Sequence, residues 1–197
     1  MRVGIVGFGG VGKTTIFNAL TGLSADTGGG GRGRENTGVI KVPDPRIAAL
    51  AELHRSKKQV LAEIVFVDPP GAREGQAAGG AMAPDTLQAM QGCEALVAVL
   101  RDFANPALAR PPDAARELAD FSVELIISDL GPLENRRDRM KKEAGRDKEK
   151  AVIERCIAHL ADEQPLRTLS LDDADLALLS GFGLLSRKPL LCLLNQE

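Results

Sequence analysis

The stretch Gly7-Phe8-Gly9-Gly10-Val11-Gly12-Lys13-Thr14 decides the fold, because it carries two phosphate-binding signatures at once. Read as GxGxxG, from its first, third and sixth residues, it is the fingerprint of a dinucleotide-binding turn. Read as GxxxxGK[ST], it is the loop that cradles the phosphates of a nucleoside triphosphate. The two motifs imply different chemistry, so the surrounding sequence has to decide between them.

The residues on either side of this loop suit both interpretations. Arg2–Val6 is a short apolar run typical of a buried strand, and Thr15–Leu20 begins a helical pattern. A strand, a glycine turn and a helix N-terminus together make an anion-binding site. Lys13 and Thr14 favour the triphosphate, because an ammonium group and a cation-binding hydroxyl have defined roles beside it and none beside a dinucleotide.

Acidic positions further along the chain also distinguish the two interpretations. The dinucleotide fold needs an acidic residue about 20 positions on, at the end of the next strand. That region, Ser24–Glu35, is dominated by Gly28–Gly31, which is either a switch loop or a connector and does not resemble a strand. The triphosphate fold needs an Asp at the end of an apolar strand, and Ile64–Asp68 with Gly71 supplies it as DxxG. We therefore predict a nucleoside triphosphate site and keep a dinucleotide oxidoreductase as the less favoured alternative.

Each predicted site residue has a chemical role. The backbone N–H groups of Gly9–Thr14 would wrap the phosphates, since glycine lets the main chain approach them closely. Lys13 would neutralise phosphate oxygens and the N–H of Gly71 would contact the γ-phosphate, so these two are the predicted catalytic residues. Thr14 and Asp68 would hold Mg²⁺ directly or through water. The predicted nucleotide-binding residues are Gly9, Gly10, Val11, Gly12, Lys13, Thr14, Thr15 and Asn195.

The group that would orient an attacking water is not evident from these motifs. Related enzymes often place a glutamine just after the DxxG glycine, and here that position is Ala72. A methyl group cannot orient water, so catalysis needs Arg73, Gln76 or a partner, or it is intrinsically slow. Arg32 and Arg34 of the glycine-rich run are either charge stabilisers or solvated side chains.

Apolar runs alternate with helical patterns along most of the chain. The predicted strands include Val39–Val42, Ala62–Val67, Ala95–Leu100 and Pro189–Leu194, and the predicted helices include Arg46–His54 and Thr86–Gly92. This alternation predicts an α/β P-loop fold with a mostly parallel sheet and helices on both faces. Folds of this class bind ligands at the carboxyl ends of their strands.

Residues 113–164 depart from this pattern with a long charged helical stretch. We predict two antiparallel helices, a coiled-coil-like hairpin inserted between residues 1–112 and 165–197 of the nucleotide-binding domain. Pro132 should kink or locally interrupt the first helix. Arg136–Lys150, near the predicted tip, contains eight Lys or Arg and four Asp or Glu. This segment is either an RNA or ribosome contact or a solvated helix face.

Composition narrows the class of protein. A net charge of -2 and an aromatic content of six Phe argue against a general nucleic-acid binder and a sequence-specific DNA binder. No signal-peptide pattern precedes the first strand, and no apolar run approaches the roughly 18 residues of a membrane span. The widely spaced Cys93, Cys156 and Cys192 are predicted to be buried free thiols. We expect a cytoplasmic protein with no membrane partner.

Taken together, these motifs resemble the Obg-like ATPase (YchF) family of translation-factor-class P-loop NTPases. The resemblance is carried by Arg2–Thr21, Asn36–Val39, Val42–Arg46, Phe66–Asp68 with Gly71, Val99–Arg101 with Phe103, Glu124–Ile126 and Lys188–Asn195. It implies binding of ATP or GTP with Mg²⁺, a preference for ATP, slow hydrolysis, and association with the ribosome or ribosomal RNA. It also implies that Asn195 begins the base-recognition motif NxxE.

Several positions depart from the family pattern. The family has Pro and Asn where this chain has Gly9 and Gly10, and it usually has Leu where this chain has Ala72. The expected switch threonine is replaced, with Arg32 nearest to it, and the segment Asp102–Pro112 is shorter than in relatives. The family's C-terminal TGS-type domain is expected to be absent.

The leading hypothesis is a slow, Mg²⁺-dependent nucleoside triphosphatase that acts as a molecular switch near the ribosome. The alternative from a different class is a nucleotide-binding interaction module that does not hydrolyse. Ala72 and the altered glycine-rich loop favour this alternative.

Overall fold

The computed structural model describes residues 1–26, 35–69, 82–106, 108, 110–141, 143 and 145–196. Within these residues the elements are β1 (Arg2–Val6), α1 (Lys13–Thr21), β2 (Asn36–Lys41), α2 (Pro45–Leu53), β3 (Glu63–Asp68), α3 (Pro84–Gln91), β4 (Ala95–Arg101), α4 (Ala114–Met140), α5 (Asp147–Ala161), a 3-10 turn (Leu166–Thr168), α6 (Asp173–Leu179) and β5 (Leu190–Asn195). Strands and helices alternate as far as β4, as the apolar runs predict.

The strands form one sheet in the order β2-β3-β1-β4-β5. β1 pairs in parallel with β3 and β4, β4 pairs in parallel with β5, and β2 runs antiparallel to β3. The central strands are buried on both faces, so that Ile5 and Ala98 expose no surface. Such strands need apolar side chains throughout, which explains the continuous apolar runs. The predicted mostly parallel α/β P-loop fold is confirmed.

This topology is wrong for the dinucleotide-binding alternative. In that fold the first two strands are adjacent and parallel, joined by a βαβ crossover. Here β3 lies between β1 and β2, and β2 is antiparallel to its neighbour. The GxGxxG spacing of residues 7–12 therefore carries no dinucleotide fold with it.

Helices cover both faces of the sheet. On one face, Phe17 of α1 is fully buried against Ile5 and Val99 of the central strands. On the other face, Met90 of α3 and Phe121 of α4 belong to a second buried cluster with the sheet. Burying a side chain of this size contributes about 1.5–3 kcal/mol. The helix that follows the glycine-rich loop is therefore fixed on the sheet by its own apolar face.

α4 takes part in two separate clusters of buried residues. Phe121 packs with the sheet, whereas Leu133 packs with Ile153 of α5. The connection between α4 and α5 contains Gly145, where the sequence pattern predicts a break. Because α4 packs against the sheet as well as against α5, the hairpin of residues 113–164 as a separate inserted unit stays a prediction.

Of the two outcomes predicted at Pro132, a kink or a local interruption, the structure shows no interruption of α4. α4 runs from Ala114 to Met140 and contains Pro132 in its interior. A proline in the middle of a helix removes one main-chain hydrogen bond and costs about 3 kcal/mol. The next residue, Leu133, is fully buried in the α4–α5 cluster. We attribute the continuity of the helix to this packing, which outweighs the local preference of proline.

α2 begins one residue earlier than predicted. Pro45 lies in its first turn, and the Asp44 side chain accepts a hydrogen bond from the N–H of Arg46 across 3.0 Å. Proline suits this position because its missing N–H would have no helical partner there. Aspartate is among the preferred caps. The Pro-Asp-Pro stretch therefore begins a helix as well as ending the strand before it.

One cysteine prediction is wrong. Cys93 and Cys156 are buried free thiols, but the Cys192 thiol is exposed. Its strand, β5, lies at one edge of the described sheet. An edge strand is covered on fewer sides than a central one, so an apolar run there does not guarantee burial.

α6 was not predicted from the sequence. It has 7 residues, too few to establish a helical period, and it begins where the Asp172 side chain accepts a hydrogen bond from the N–H of Asp175.

Among the described residues, no helix has both the length and the apolar character that a membrane span needs.

Candidate nucleotide-binding site

The glycine-rich loop of residues 7–12, here called the phosphate loop, joins the carboxyl end of β1 to the first turn of α1. Its last residue, Gly12, has a φ of 91°, a left-handed conformation that favours glycine. A Cβ at this position would collide with the side chain of Asn195. Gly12 therefore allows the end of β5 to approach the phosphate loop, and it brings two predicted site residues into contact.

Main-chain oxygens of the phosphate loop are held by side-chain donors. Lys13 donates from Nζ to the oxygen of Phe8 across 2.7 Å, and Asn195 donates from Nδ2 to the oxygen of Val11 across 2.9 Å. The carbonyl and the N–H of one trans peptide unit point in opposite directions. Each bond therefore fixes the direction of one peptide unit and keeps the N–H of the following residue, Gly9 or Gly12, pointing away from the held oxygen.

Lys13 is partly buried at the N-terminus of α1. Burial lowers the pKa of its ammonium group from the ordinary value, and the negative charge of Asp68 opposes that shift. An ammonium group has three N–H donors, and the bond to Phe8 uses one of them. A phosphate beside the group would stabilise its charged form. The environment of Lys13 is therefore one in which an anionic ligand would stabilise the charged side chain.

Thr14 and Asp68 form a hydrogen bond in the position predicted for the metal. Thr14 Oγ1 donates to Asp68 Oδ2 across 2.8 Å. Asp68 is 2% exposed, and its other oxygen, Oδ1, is buried with no hydrogen-bond partner among the described residues. An unsatisfied buried oxygen of this kind is costly. A hydroxyl and a carboxylate oxygen are ligands that Mg²⁺ prefers, so these residues fit that ion or the water it carries.

Sequence reasoning assigned no role to two asparagines of this site. Asn36 donates from Nδ2 to Asp68 Oδ2 across 3.2 Å, and Asn105 donates from Nδ2 to the main-chain oxygen of Gly10 across 3.2 Å. Asn36 lies opposite Asp68 in the antiparallel pairing of β2 with β3. Asn36 and Asp68 are brought together only by the register of the two strands, which cannot be predicted from the spacing of a motif.

The structure assembles most of the predicted site that it describes. Gly9–Thr14 form the phosphate loop and the helix start, Asp68 lies beside Thr14, and Asn195 contacts the loop. Thr15 is exposed on the first turn of α1. Six residues with predicted roles lie outside the described residues: Arg32, Arg34, Gly71, Ala72, Arg73 and Gln76. The individual roles of all these residues stay predictions.

Comparison with known proteins agrees with this geometry. Residues 2–128 match the family described as 50S ribosome-binding GTPase. The chain is 33% identical over 204 residues to a protein of Escherichia coli O157:H7 named Ribosome-binding ATPase YchF, covering 98% of this chain and 56% of the relative. It is 30% identical over 208 residues to a protein of Oryza sativa subsp. indica named Obg-like ATPase 1, covering 100% of this chain and 53% of that relative.

A solved structure supports the fold. The YchF GTPase of Schizosaccharomyces pombe superposes with a TM-score of 0.75 at 24% sequence identity, covering 99% of this chain and 56% of that one. The chain thus spans 56% of the length of the bacterial relative and of the solved structure. With the family match over residues 2–128, the chain belongs to the 50S ribosome-binding GTPase family, and the resemblance to the Obg-like ATPase (YchF) family predicted from its sequence is confirmed.

Proposed function

We propose that this chain binds a purine nucleoside triphosphate with Mg²⁺ and hydrolyses it slowly, favouring ATP over GTP, as a molecular switch at the ribosome. The observation that carries the proposal is the 2.8 Å hydrogen bond from Thr14 to Asp68, next to a buried carboxylate oxygen without a partner in the described part of the chain. A structural glycine turn needs neither feature.

The hydrogen bond between Thr14 and Asp68 leaves the right atoms for a cation. Because the hydroxyl of Thr14 donates its hydrogen bond to Asp68, the lone pairs of its oxygen are available to a metal ion. Asp68 Oδ1 would accept a hydrogen bond from a water that the ion carries, since Mg²⁺ usually keeps several waters. Bound there, Mg²⁺ supplies positive charge that neutralises the phosphate oxygens during transfer.

The phosphate loop and Lys13 would bind the phosphates. The N–H of Gly12, which follows the held oxygen of Val11, points away from that oxygen and would face a phosphate. Lys13 would add charge through the N–H donors that it does not give to Phe8. These groups need little rearrangement when the ligand binds, and such preorganisation limits the entropy lost on binding.

Slow turnover follows from the residue after the DxxG motif. Ala72, which lies outside the described residues, has no group that can orient an attacking water. Gly71 would still contact the γ-phosphate through its N–H. A binding module without hydrolysis is the second candidate, and Ala72 is the observation that favours it.

The preference for ATP and the ribosome as partner rest on the relatives. Two of them carry the names Ribosome-binding ATPase YchF and Obg-like ATPase 1, and we extend both properties to this chain as a proposal. Asn195 would meet the base. The neighbouring residue is Gln196, where most GTPases have lysine. Its Nε2 donates to Oδ2 of Asp102, in the connection after β4, across 2.7 Å.

Some of the positive charge in the basic segment Arg136–Lys150 is paired with carboxylates of the same segment, which leaves less of it to contact RNA phosphates. Arg136 forms ion pairs with Glu143 and Glu149 at 3.1 and 2.7 Å. Arg146 forms ion pairs with the same two carboxylates at 3.0 and 2.9 Å. A ribosome contact through this segment therefore stays a prediction, and these pairs favour a structural role for Arg136 and Arg146.

Calorimetric titration of the whole chain with ATP and GTP, with and without millimolar Mg²⁺, tests the proposal. Thr14→Ala should weaken the Mg²⁺-dependent part of binding, whereas Thr14→Ser keeps the hydroxyl and should retain it. Absence of binding of either nucleotide at millimolar Mg²⁺ would contradict the proposal. Phosphate release on the same samples separates the two candidates, because binding without release, even with ribosomes added, supports the interaction module.

A further inference from the structure

We propose that Asn105 is a positioning residue of the phosphate loop, which holds the Gly10–Val11 peptide so that the N–H of Val11 is presented to a phosphate. The inference deepens the proposed function and rests on it for the identity of the ligand. It concerns a residue that lies well outside the glycine-rich motif, in the connection of residues 102–113 between β4 and α4.

The hydrogen bond from Asn105 to the phosphate loop fixes the direction of one peptide unit. Asn105 Nδ2 donates to the oxygen of Gly10 across 3.2 Å. Since the oxygen of Gly10 and the N–H of Val11 belong to the same planar trans unit, they point in opposite directions. Holding the oxygen toward Asn105 therefore keeps the N–H of Val11 pointing away from Asn105.

Position 10 is shaped to receive this side chain. Gly10 has a φ of 78°, which favours glycine. A Cβ added there would lie 3.1 Å from Asn105 Nδ2 and 3.0 Å from Cδ1 of Leu108. Such contacts are tighter than normal packing, so a larger residue at position 10 would displace both side chains. The glycine and the two side chains over it form one fitted contact.

A buried arginine anchors the connection that carries Asn105. Arg101 is 3% exposed, and its Nη2 donates to the oxygens of Arg110 and Pro111 across 2.9 and 3.1 Å. Its Nε donates to Glu117 of α4 across 3.3 Å. Loss of these acceptors would leave a buried charge unpaired, which would lower the stability of the fold. The end of the connection is therefore fixed to the sheet and to α4, which limits the positions open to Asn105.

Asn105 matches the way in which Asn195 holds the same loop. Asn195 holds the oxygen of Val11 from the end of β5, and Asn105 holds the oxygen of Gly10 from the connection after β4. Two carboxamides from neighbouring parts of the sheet edge thus hold consecutive carbonyls. Each leaves the next N–H facing away from the carboxamide that holds the carbonyl, and two successive donors held in this way can bind one anion.

The test compares Asn105→Ala with Asn135→Ala, a matched control in which an exposed asparagine of α4 is removed. Binding of ATP and of inorganic triphosphate to the full chain is measured by calorimetry. Amide hydrogen exchange of residues 9–12 is measured without ligand. We expect Asn105→Ala to lower the affinity for both ligands by a similar factor of about 2 to 10, the range for one neutral hydrogen bond. We also expect faster amide exchange at Val11. The control should change neither.

The outcomes separate this inference from the proposed function. If the wild-type chain binds neither ligand, the proposed function fails, and faster exchange at Val11 in Asn105→Ala still supports the positioning role. Unchanged exchange and unchanged affinity in Asn105→Ala overturn the inference while leaving the proposed function intact. A lowered unfolding temperature with unchanged affinity also overturns it, because Asn105 would then stabilise only its own connection. Asn105→Asp, which lacks the donor, should behave like the alanine variant or worse.

Discussion

Asn195, the last residue of β5, donates a hydrogen bond from its side-chain amide to the main-chain oxygen of Val11 across 2.9 Å. The residue expected to recognise the base therefore also supports the loop expected to bind the phosphates. The bond joins residues that are 184 positions apart in the chain. The end of β5 is therefore joined to the phosphate loop.

Asn195→Ala should lower the affinity for ATP and the affinity for GTP by similar factors. Support of the phosphate loop does not depend on the base, and one lost hydrogen bond corresponds to about 2- to 10-fold in affinity. Calorimetric titration with both nucleotides measures the two factors. Gln196→Ala is the matched control, because that amide bonds to Asp102 and not to the loop. A loss confined to one nucleotide would mean that Asn195 acts through the base alone.

Gly12→Ala should abolish nucleotide binding while the chain stays folded. The left-handed φ of 91° costs a non-glycine residue about 1–2 kcal/mol, and the added Cβ would collide with Asn195. The matched control is Gly131→Ala in α4, where an added Cβ meets no atom within 4 Å beyond the helix backbone and the adjacent residues. The gain of about 0.5–1 kcal/mol from replacing glycine in a helix interior is opposed by the clash between a Cβ and the ring of the following Pro132, so this change should leave nucleotide binding unaltered and stability close to that of the wild type. Binding by Gly12→Ala with unaltered affinity would contradict the assignment.

The parts of the site that follow local rules could be predicted from the sequence. The strand before the phosphate loop, the lysine and threonine after it, and Asp68 at the end of an apolar run all follow from spacing that the chemistry imposes. Asn36 and Asn105 could not be found in this way. Their contacts depend on strand register and on the path of a connection, and the Asn105 contact spans 95 residues.

Two differences between sequence and structure have the same origin. The local preference of Pro132 favours an interruption, but its neighbour Leu133 is buried and α4 runs on without one. Cys192 lies in an apolar run, which favours burial, but it is on an edge strand of the described sheet, where residues such as Leu191 are exposed. In both cases the tertiary environment outweighs the local pattern.

Glu149→Gln should reduce the dependence of stability on acid pH. The Glu149 carboxylate accepts hydrogen bonds from Arg136 and Arg146, and these bonds, that from Arg136 foremost, lower its pKa from 4.5 to about 2. A lowered carboxyl pKa contributes stability that is present above pH 4.5 and is lost as the pH falls toward 2. Thermal unfolding across this window should show a shallower decline in the variant.

The control for this measurement is Glu154→Gln on the same helix. Glu154 is an exposed residue that lies 4.0 Å from Lys150, a distance at which an exposed ion pair contributes little. Its replacement should leave the acid dependence as it is in the wild type. Equal pH profiles for Glu149→Gln and the wild-type chain would show that the Arg136 pair does not stabilise the fold.

Asp129→Ala should destabilise the chain more than any exposed substitution on α4. Asp129 is 3% exposed, and its two oxygens accept hydrogen bonds from the N–H groups of Leu185 and Ser186, each across 2.8 Å. Each buried N–H left without an acceptor costs about 1–3 kcal/mol, so we expect a loss of about 2–5 kcal/mol in denaturant unfolding. Asp129→Asn keeps one acceptor oxygen and should lose less stability.

The same substitution, Asp129→Ala, should also change how the two buried clusters unfold. Leu185 packs in the sheet cluster, while α4 continues into the α4–α5 cluster, so loss of the Asp129 bonds should make the two clusters unfold less cooperatively. A single unchanged transition in Asp129→Ala would show that packing alone joins them.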